Sequence, residues 1–125
     1  MLLAGKRGVV LNVVNKNSIG WGIAQAAAQQ GALVGVGAQN ERMMDGVRKL
    51  IEGQDCYTPF MVDFSIPEQL EQLREDIAKT YGTIDFVVHS AAFANREDLQ
   101  GRFIDTSRDG FLTALEISAY SLVSL

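Results

Sequence analysis

The sequence predicts an α/β fold, a doubly wound parallel sheet with strand order 3-2-1-4. Strand-like and helix-like segments alternate four times, which calls for right-handed crossovers and a parallel sheet. The first strand candidate is a continuous apolar run rather than an alternating one, as expected for a strand covered on both faces. The composition agrees: 47% apolar and 21% charged residues suit a globular chain, and 125 residues allow one domain at most.

Each element follows from local signals. Residues 8–13, "GVVLNV", read as the first strand. Ser18 is placed to cap a helix over 19–30, which Gly31 stops. "ALVGVGA", 32–38, reads as the second strand. Met43, Met44, Val47, Leu50 and Ile51 form one stripe at three-to-four spacing, so 41–52 reads as the second helix. "CYTPFMVDF", 56–64, is the third strand, with Pro59 near its start. Ser65 is expected to cap the next helix, whose face carries Ile66, Leu70, Leu73 and Ile77 and which Gly82 ends. "TIDFVVHSA", 83–91, is the fourth strand, and a polar loop spans 94–102. Thr106 and Asp109 match a capping box opening a final helix with Phe111, Leu115, Ser118 and Leu122 along one side. That pattern is still apolar at "SAYSLVSL", so the sequence is expected to be the N-terminal cofactor-binding part, 1–125, of a single longer domain.

Several function classes are set aside. A formal charge of −4 gives no reason to expect nucleic acid or an anionic membrane as partner. No apolar run is long enough to suggest a membrane helix, and "MLLAGKRG" is too short in apolar residues for a secretory signal. Cys56 and His89 are the only residues of their types, so neither an internal disulfide nor a Cys/His metal site is expected. The chain reads as cytoplasmic.

In a doubly wound sheet, ligands bind beyond the carboxyl ends of the strands where the strand order reverses, here between strands one and four. The loop after strand one, "NVVNKNSIGWG", lies where a Rossmann-like fold places its phosphate loop. The first glycine of such a loop is replaced by Asn12, while Gly20 and Gly22 supply the later ones. Spacing alone leaves two readings open, a phosphate loop or a plain strand-to-helix turn. After strand two, Gln39 could reach the adenosine end or be an exposed amide. After strand three, Asp63 could accept from an adenine amino group, with Phe64 as an apolar wall, or help cap the next helix. Ser90, Ala91 and Ala92 are small enough to let a flat ligand pass, and Phe93 is either a substrate wall or core. His89 is either a hydrogen-bonded core histidine or a catalytic one.

Three segments carry a more specific likeness: Ser18 to Ala24, "SIGWGIA"; His89 to Ala94, "HSAAFA"; and Gly101-Arg102-Phe103 with Thr106-Ser107-Arg108. With the rest of the chain they resemble the bacterial enoyl-acyl-carrier-protein reductases, the divergent branch of the short-chain dehydrogenase/reductase superfamily. The resemblance implies NADH-dependent (in some members NADPH-dependent) reduction of the trans-2 double bond of an enoyl chain carried on acyl carrier protein, in type II fatty acid biosynthesis. It implies that Asn12, Ser18 and Ile19 line the pyrophosphate and ribose, and that Gln39 lies near the adenosine ribose. Asp63 and Phe64 would hold the adenine, and Ser90, Ala91 and Ala92 would border the nicotinamide. Phe93 and Ala94 would edge the acyl pocket. It also implies a homotetramer. "HSAAFA" argues against a 3-oxoacyl reductase, which resembles Asn-Asn-Ala-Gly there.

The departures are equally specific. Asn12 stands where the family has glycine, and its side chain takes space beside the cofactor. The family's catalytic pair is a tyrosine with a lysine seven positions on. Seven positions beyond Tyr57 and Tyr81 lie Phe64 and Val88, and Tyr120 is too near the last residue. No catalytic residue is therefore assigned here, and a nucleotide-binding half without activity stands as the alternative reading.

Overall fold

A computed structural model describes all residues from Met1 to Leu125. They divide into two compact units, Met1–Ser90 and Ala91–Leu125. In the first, β1 (Arg7–Leu11), α1 (Ile19–Gln29), β2 (Leu33–Ala38), α2 (Glu41–Ile51), β3 (Tyr57–Met61), α3 (Pro67–Tyr81) and β4 (Phe86–His89) follow one another. The strands make one parallel sheet in the order β3-β2-β1-β4, as the sequence predicts.

Side-chain alternation on the two central strands explains how helices cover both faces. Val10, Val34 and Val36 point to one face, where they join Trp21, Ala24 and Ala27 of α1 and Met44, Val47 and Ile51 of α2 in a common core. Val9 and Leu11 point to the other. There β2 has glycines, and the space beside Gly35 and Gly37 is taken by Phe60, Val9 and Leu11. Phe60 in turn meets Tyr81 of α3 edge-on, ring centroids 6.1 Å apart. Gly31 and Gly82 end α1 and α3 with φ of +93° and +74°, a region open mainly to glycine.

Local chemistry shifts several boundaries. β3 stops at Met61, and Pro59 sits mid-strand, opposite Val36 on an outer strand, where a missing donor is tolerated. β4 begins only at Phe86; just before it, the Asp85 carboxylate accepts from Lys6 Nζ and from the Arg7 N–H, each at 2.9 Å, tying this end to the start of β1. Ser65 does not cap α3. Ile66 holds the cap position, Pro67 opens the helix, and the Ser65 hydroxyl and amide both donate to Asp63. Asn40 caps α2, accepting from the Met43 N–H.

In the second unit, the polar loop contains two short 3-10 turns, Arg96–Leu99 and Phe103–Asp105. The cap of α4 (Arg108–Leu115) is Ser107 rather than Thr106: Ser107 Oγ accepts from the Gly110 N–H, and the Thr106 hydroxyl donates to the Phe103 carbonyl. The expected single helix is interrupted by a π-helical turn, Glu116–Tyr120, before α5 (Ser121–Ser124). Phe111, Leu115 and Leu122, predicted to share one side, are all exposed. No helix is long and apolar enough to cross a membrane.

Candidate functional site

The carboxyl ends of β1 and β4 are adjacent, with Leu11 opposite His89. The chain leaves β1 through Asn12, whose φ of 68° makes it the one non-glycine residue with positive φ. Asparagine is among the few side chains that enter this region readily, which is how it can stand where a glycine is expected. Its Nδ2 donates to the Ser90 carbonyl at 3.2 Å. The Ser90 hydroxyl donates back to the Leu11 carbonyl.

The next residues wind around one hydroxyl. Ser18 Oγ accepts from the N–H groups of Val14 and Asn15, at 3.0 and 3.1 Å, and the Ser18 N–H donates to the Asn15 carbonyl at 3.0 Å. Asn15 Oδ1 accepts from the Asn17 N–H at 2.8 Å. Ser18 holds the N-cap position of α1 but makes no side-chain cap bond, contrary to the expectation. The consequence is chemical. A serine hydroxyl has two acceptor lone pairs and one proton; with both lone pairs engaged, donation is the capacity that remains. The first amides of α1 precede its first internal bond, made by the Gly22 N–H to the Ser18 carbonyl, and they carry the positive end of the helix dipole. Ile19 is exposed on this turn. The two later glycines differ: a Cβ at Gly20 would stand 2.8 Å from Ser90 Oγ, whereas one at Gly22 would meet nothing within 4 Å.

Gln39 and Asp63, both assigned to the adenosine end, come together: Gln39 Nε2 donates to Asp63 Oδ2 at 3.4 Å. Asp63 Oδ1 accepts from the Ser65 N–H and hydroxyl at 2.9 and 2.6 Å, and the Asp63 N–H donates to Gln69 Oε1 at 2.8 Å. Burial pushes the Asp63 carboxyl upward, but the Ser65 bonds and the Gln39 bond outweigh it, and its pKa lies below the ordinary value. Three donors leave this carboxylate room for one more. Phe64 meets His89 with ring centroids 5.5 Å apart. Since β3 and β4 are the two outer strands, the chain after β3 must turn inward over the carboxyl ends of the central pair. His89 is half-buried in that ring contact.

The second unit holds the remaining candidates. Ala91 is buried and Ala92 exposed. Ala92, Phe93 and Ala94 border an open hollow of about 480 Å³ completed by Leu99, Leu115 and Ser118. Ser118 Oγ accepts from the Phe93 N–H at 2.9 Å and donates to the Phe93 carbonyl at 3.1 Å, which leaves the ring half exposed at the rim. The α4 side of this hollow was not foreseen from sequence; Leu115 and Ser118 share a helical stripe, but nothing in that spacing connects it to Phe93.

Comparison with known proteins adds a common theme. A family model described as Enoyl-(Acyl carrier protein) reductase matches residues 13–125. The Bacillus cereus protein named enoyl-[acyl-carrier-protein] reductase [NADH] FabI is 45% identical over 127 residues, spanning 99% of this chain and 49% of that one. A crystal structure of the Anaplasma phagocytophilum reductase in complex with NAD superposes with a TM-score of 0.93 at 38% identity, covering 99% of this chain and 47% of its own. The Bacillus cereus enzyme with NADP+ and indole naphthyridinone gives 0.92 at 45% identity, covering 98% and 49%. The chain spans about half the length of the curated relatives it matches.

Proposed function

Because the chain belongs to the enoyl-(acyl carrier protein) reductase family, we propose that residues 1–125 are the N-terminal, dinucleotide-holding part of an NADH-dependent reductase of enoyl chains on acyl carrier protein, serving type II fatty acid synthesis in the cytoplasm. The observation that carries this reading is the Ser18 turn. Its hydroxyl is reduced to a donor by the Val14 and Asn15 amides, next to the uncapped amides of α1, a donor set that suits pyrophosphate.

The rest of the site follows the same chemistry. The backbone at Asn12, Ser18 and Ile19 approaches the phosphates and ribose, and Gln39 lies by the adenosine ribose. Asp63 accepts from the adenine amino group beside Phe64. The backbone of Ser90, Ala91 and Ala92 passes the nicotinamide, and Phe93 and Ala94 edge the acyl pocket. When bound, the reduced nicotinamide supplies the hydride. The residues of this chain hold and orient it. No tyrosine here has a lysine seven positions on, so no proton-donating or enolate-stabilising role is assigned to any of them, and binding without turnover is expected of the 125-residue chain. Gln39 is joined to the Asp63 carboxylate, and that negative charge disfavours a 2′-phosphate, which supports NADH over NADPH. The same reading includes a homo-oligomer, as the family resemblance implies.

The test is titration of the purified chain with NADH and NADPH, read as energy transfer from Trp21, its only tryptophan. NADH should bind about tenfold more tightly than NADPH, a difference of about 1.4 kcal/mol. Absence of binding to either nucleotide defeats the proposal. Oxidation of NADH with a crotonyl thioester by this chain alone would overturn the assignment of binding without turnover.

A further inference from the structure

Two side chains at the switch point are engaged with protein rather than left open to a ligand. Asn12 Nδ2 donates from the end of β1 to the Ser90 carbonyl at the end of β4, at 3.2 Å. Ser90 Oγ donates from the end of β4 to the Leu11 carbonyl at the end of β1. The bonds run in opposite directions, so each strand end supplies one side-chain donor and one backbone acceptor. The same Ser90 Oγ fills the space beside Gly20, where an added Cβ would lie 2.8 Å from it. One oxygen thus touches β1, β4 and the first turn of α1.

We propose that Asn12 and Ser90 form a reciprocal clasp that fixes the spacing between β1, β4 and the first turn of α1, and that both act as positioning residues rather than by side-chain contact with the nucleotide. The proposal rests on the reading of this edge as a dinucleotide site. Asn12 suits the task because it combines tolerance of φ 68° with a donor that glycine lacks. It therefore reverses the expectation that the Asn12 side chain merely crowds the cofactor.

The test uses four variants of the full chain: Asn12→Gly, Ser90→Ala, Gly20→Ala and the double variant Gly20→Ala with Ser90→Ala. Each is measured for NADH affinity by Trp21 energy transfer and for its melting midpoint. Asn12→Gly keeps the backbone conformation and removes only the Asn12 bond of the clasp, so NADH binding should weaken about threefold to tenfold, the range of one net hydrogen bond. Ser90→Ala should weaken it comparably. Gly20→Ala should lower both affinity and midpoint. Adding Ser90→Ala should recover part of both, because the obstructing oxygen is gone and the remaining neighbours, Val13 Cγ2 at 3.3 Å and Val10 Cγ1 at 3.4 Å, need shift only slightly. A general loss of stability would make the double variant worse than either single one. Tighter NADH binding by Asn12→Gly, or unchanged binding in both Asn12→Gly and Ser90→Ala, overturns the clasp. If the unmodified chain binds no NADH, the nucleotide reading fails, while the clasp is judged by the midpoints alone: recovery in the double variant supports it and no recovery overturns it.

Discussion

Gly35→Ala should be among the most damaging single-methyl changes in this sheet, and its cost can be worked from the neighbours. A Cβ at position 35 would lie 2.6 and 2.9 Å from two Phe60 ring carbons and 2.8 Å from Val9 Cγ1. Neither neighbour can retreat into solvent: Phe60 is 6% and Val9 1% exposed, and the Phe60 ring is held edge-on by Tyr81. Overpacking a filled core costs about 1–3 kcal/mol, and two fixed neighbours put this site at the upper end, about 3 kcal/mol. For a unit of this size that is a drop in midpoint on the order of 10–20 °C. Gly22→Ala is the control. Its Cβ would meet nothing within 4 Å, it is exposed within α1, and alanine there gains about 0.8–1.0 kcal/mol of helix propensity. Thermal and urea unfolding followed by Trp21, whose ring lies 5.2 Å from that of Tyr57, should place the two variants on opposite sides of the parent. A Gly35→Ala midpoint within about 2 °C of the parent would refute the claim that this face is packed to capacity.

Other perturbations test the site. Asn12→Ala should melt below Asn12→Gly by about 1 kcal/mol, because only the alanine pays the left-handed penalty at φ 68°; equal midpoints would argue against that conformation. Asp63 has a folded pKa below its unfolded one, so its contribution is present above about pH 4 and is lost as pH falls through the lower folded value. Ser65→Ala removes a 2.6 Å bond to that carboxylate and should move its titration upward, measurable by carboxyl-carbon NMR, with the acid limb of unfolding following. Phe64→Ala should weaken NADH about tenfold if the ring faces the adenine, since stacking on a base is worth about 1–3 kcal/mol; unchanged affinity would reassign Phe64 to contact with His89 alone.

The parallel sheet was legible because strands and helices alternate and the two central strands carry continuous buried runs; its order then follows from the usual order of a doubly wound sheet. What was not legible depended on atoms far apart in sequence. Ser18 and Ser65 both precede helices and both look like caps. Yet Ser18 accepts from the loop before it, and Ser65 donates to Asp63 while Pro67 opens the helix. Propensity marks a residue able to cap, but competing local acceptors and donors decide which bond it makes. The tie between Asn12 and Ser90 spans 78 positions, and only the register Leu11 opposite His89 brings the two together. The π-helical turn at Glu116–Tyr120 likewise has no signal in an apolar stripe that reads as one continuous helix.

Hydrogen-bond capacity then sorts the polar residues of the carboxyl edge by what they can still do. Ser18 has given up both lone pairs and keeps a proton, which favours an acceptor such as a phosphate oxygen. Asp63 already accepts three bonds and, as a carboxylate, can take one more, which favours a donor such as an exocyclic amine. Asn12 and Ser90 are committed to each other's strands. A ligand matched to the two open capacities must present anionic oxygen to the β1 loop and an amino group to the β3 loop, with an aromatic face available to Phe64. An adenine dinucleotide carries all three, whereas pyrophosphate alone or a nucleoside alone carries only part. Adenosine and pyrophosphate offered separately should therefore each bind far more weakly than the dinucleotide that joins them.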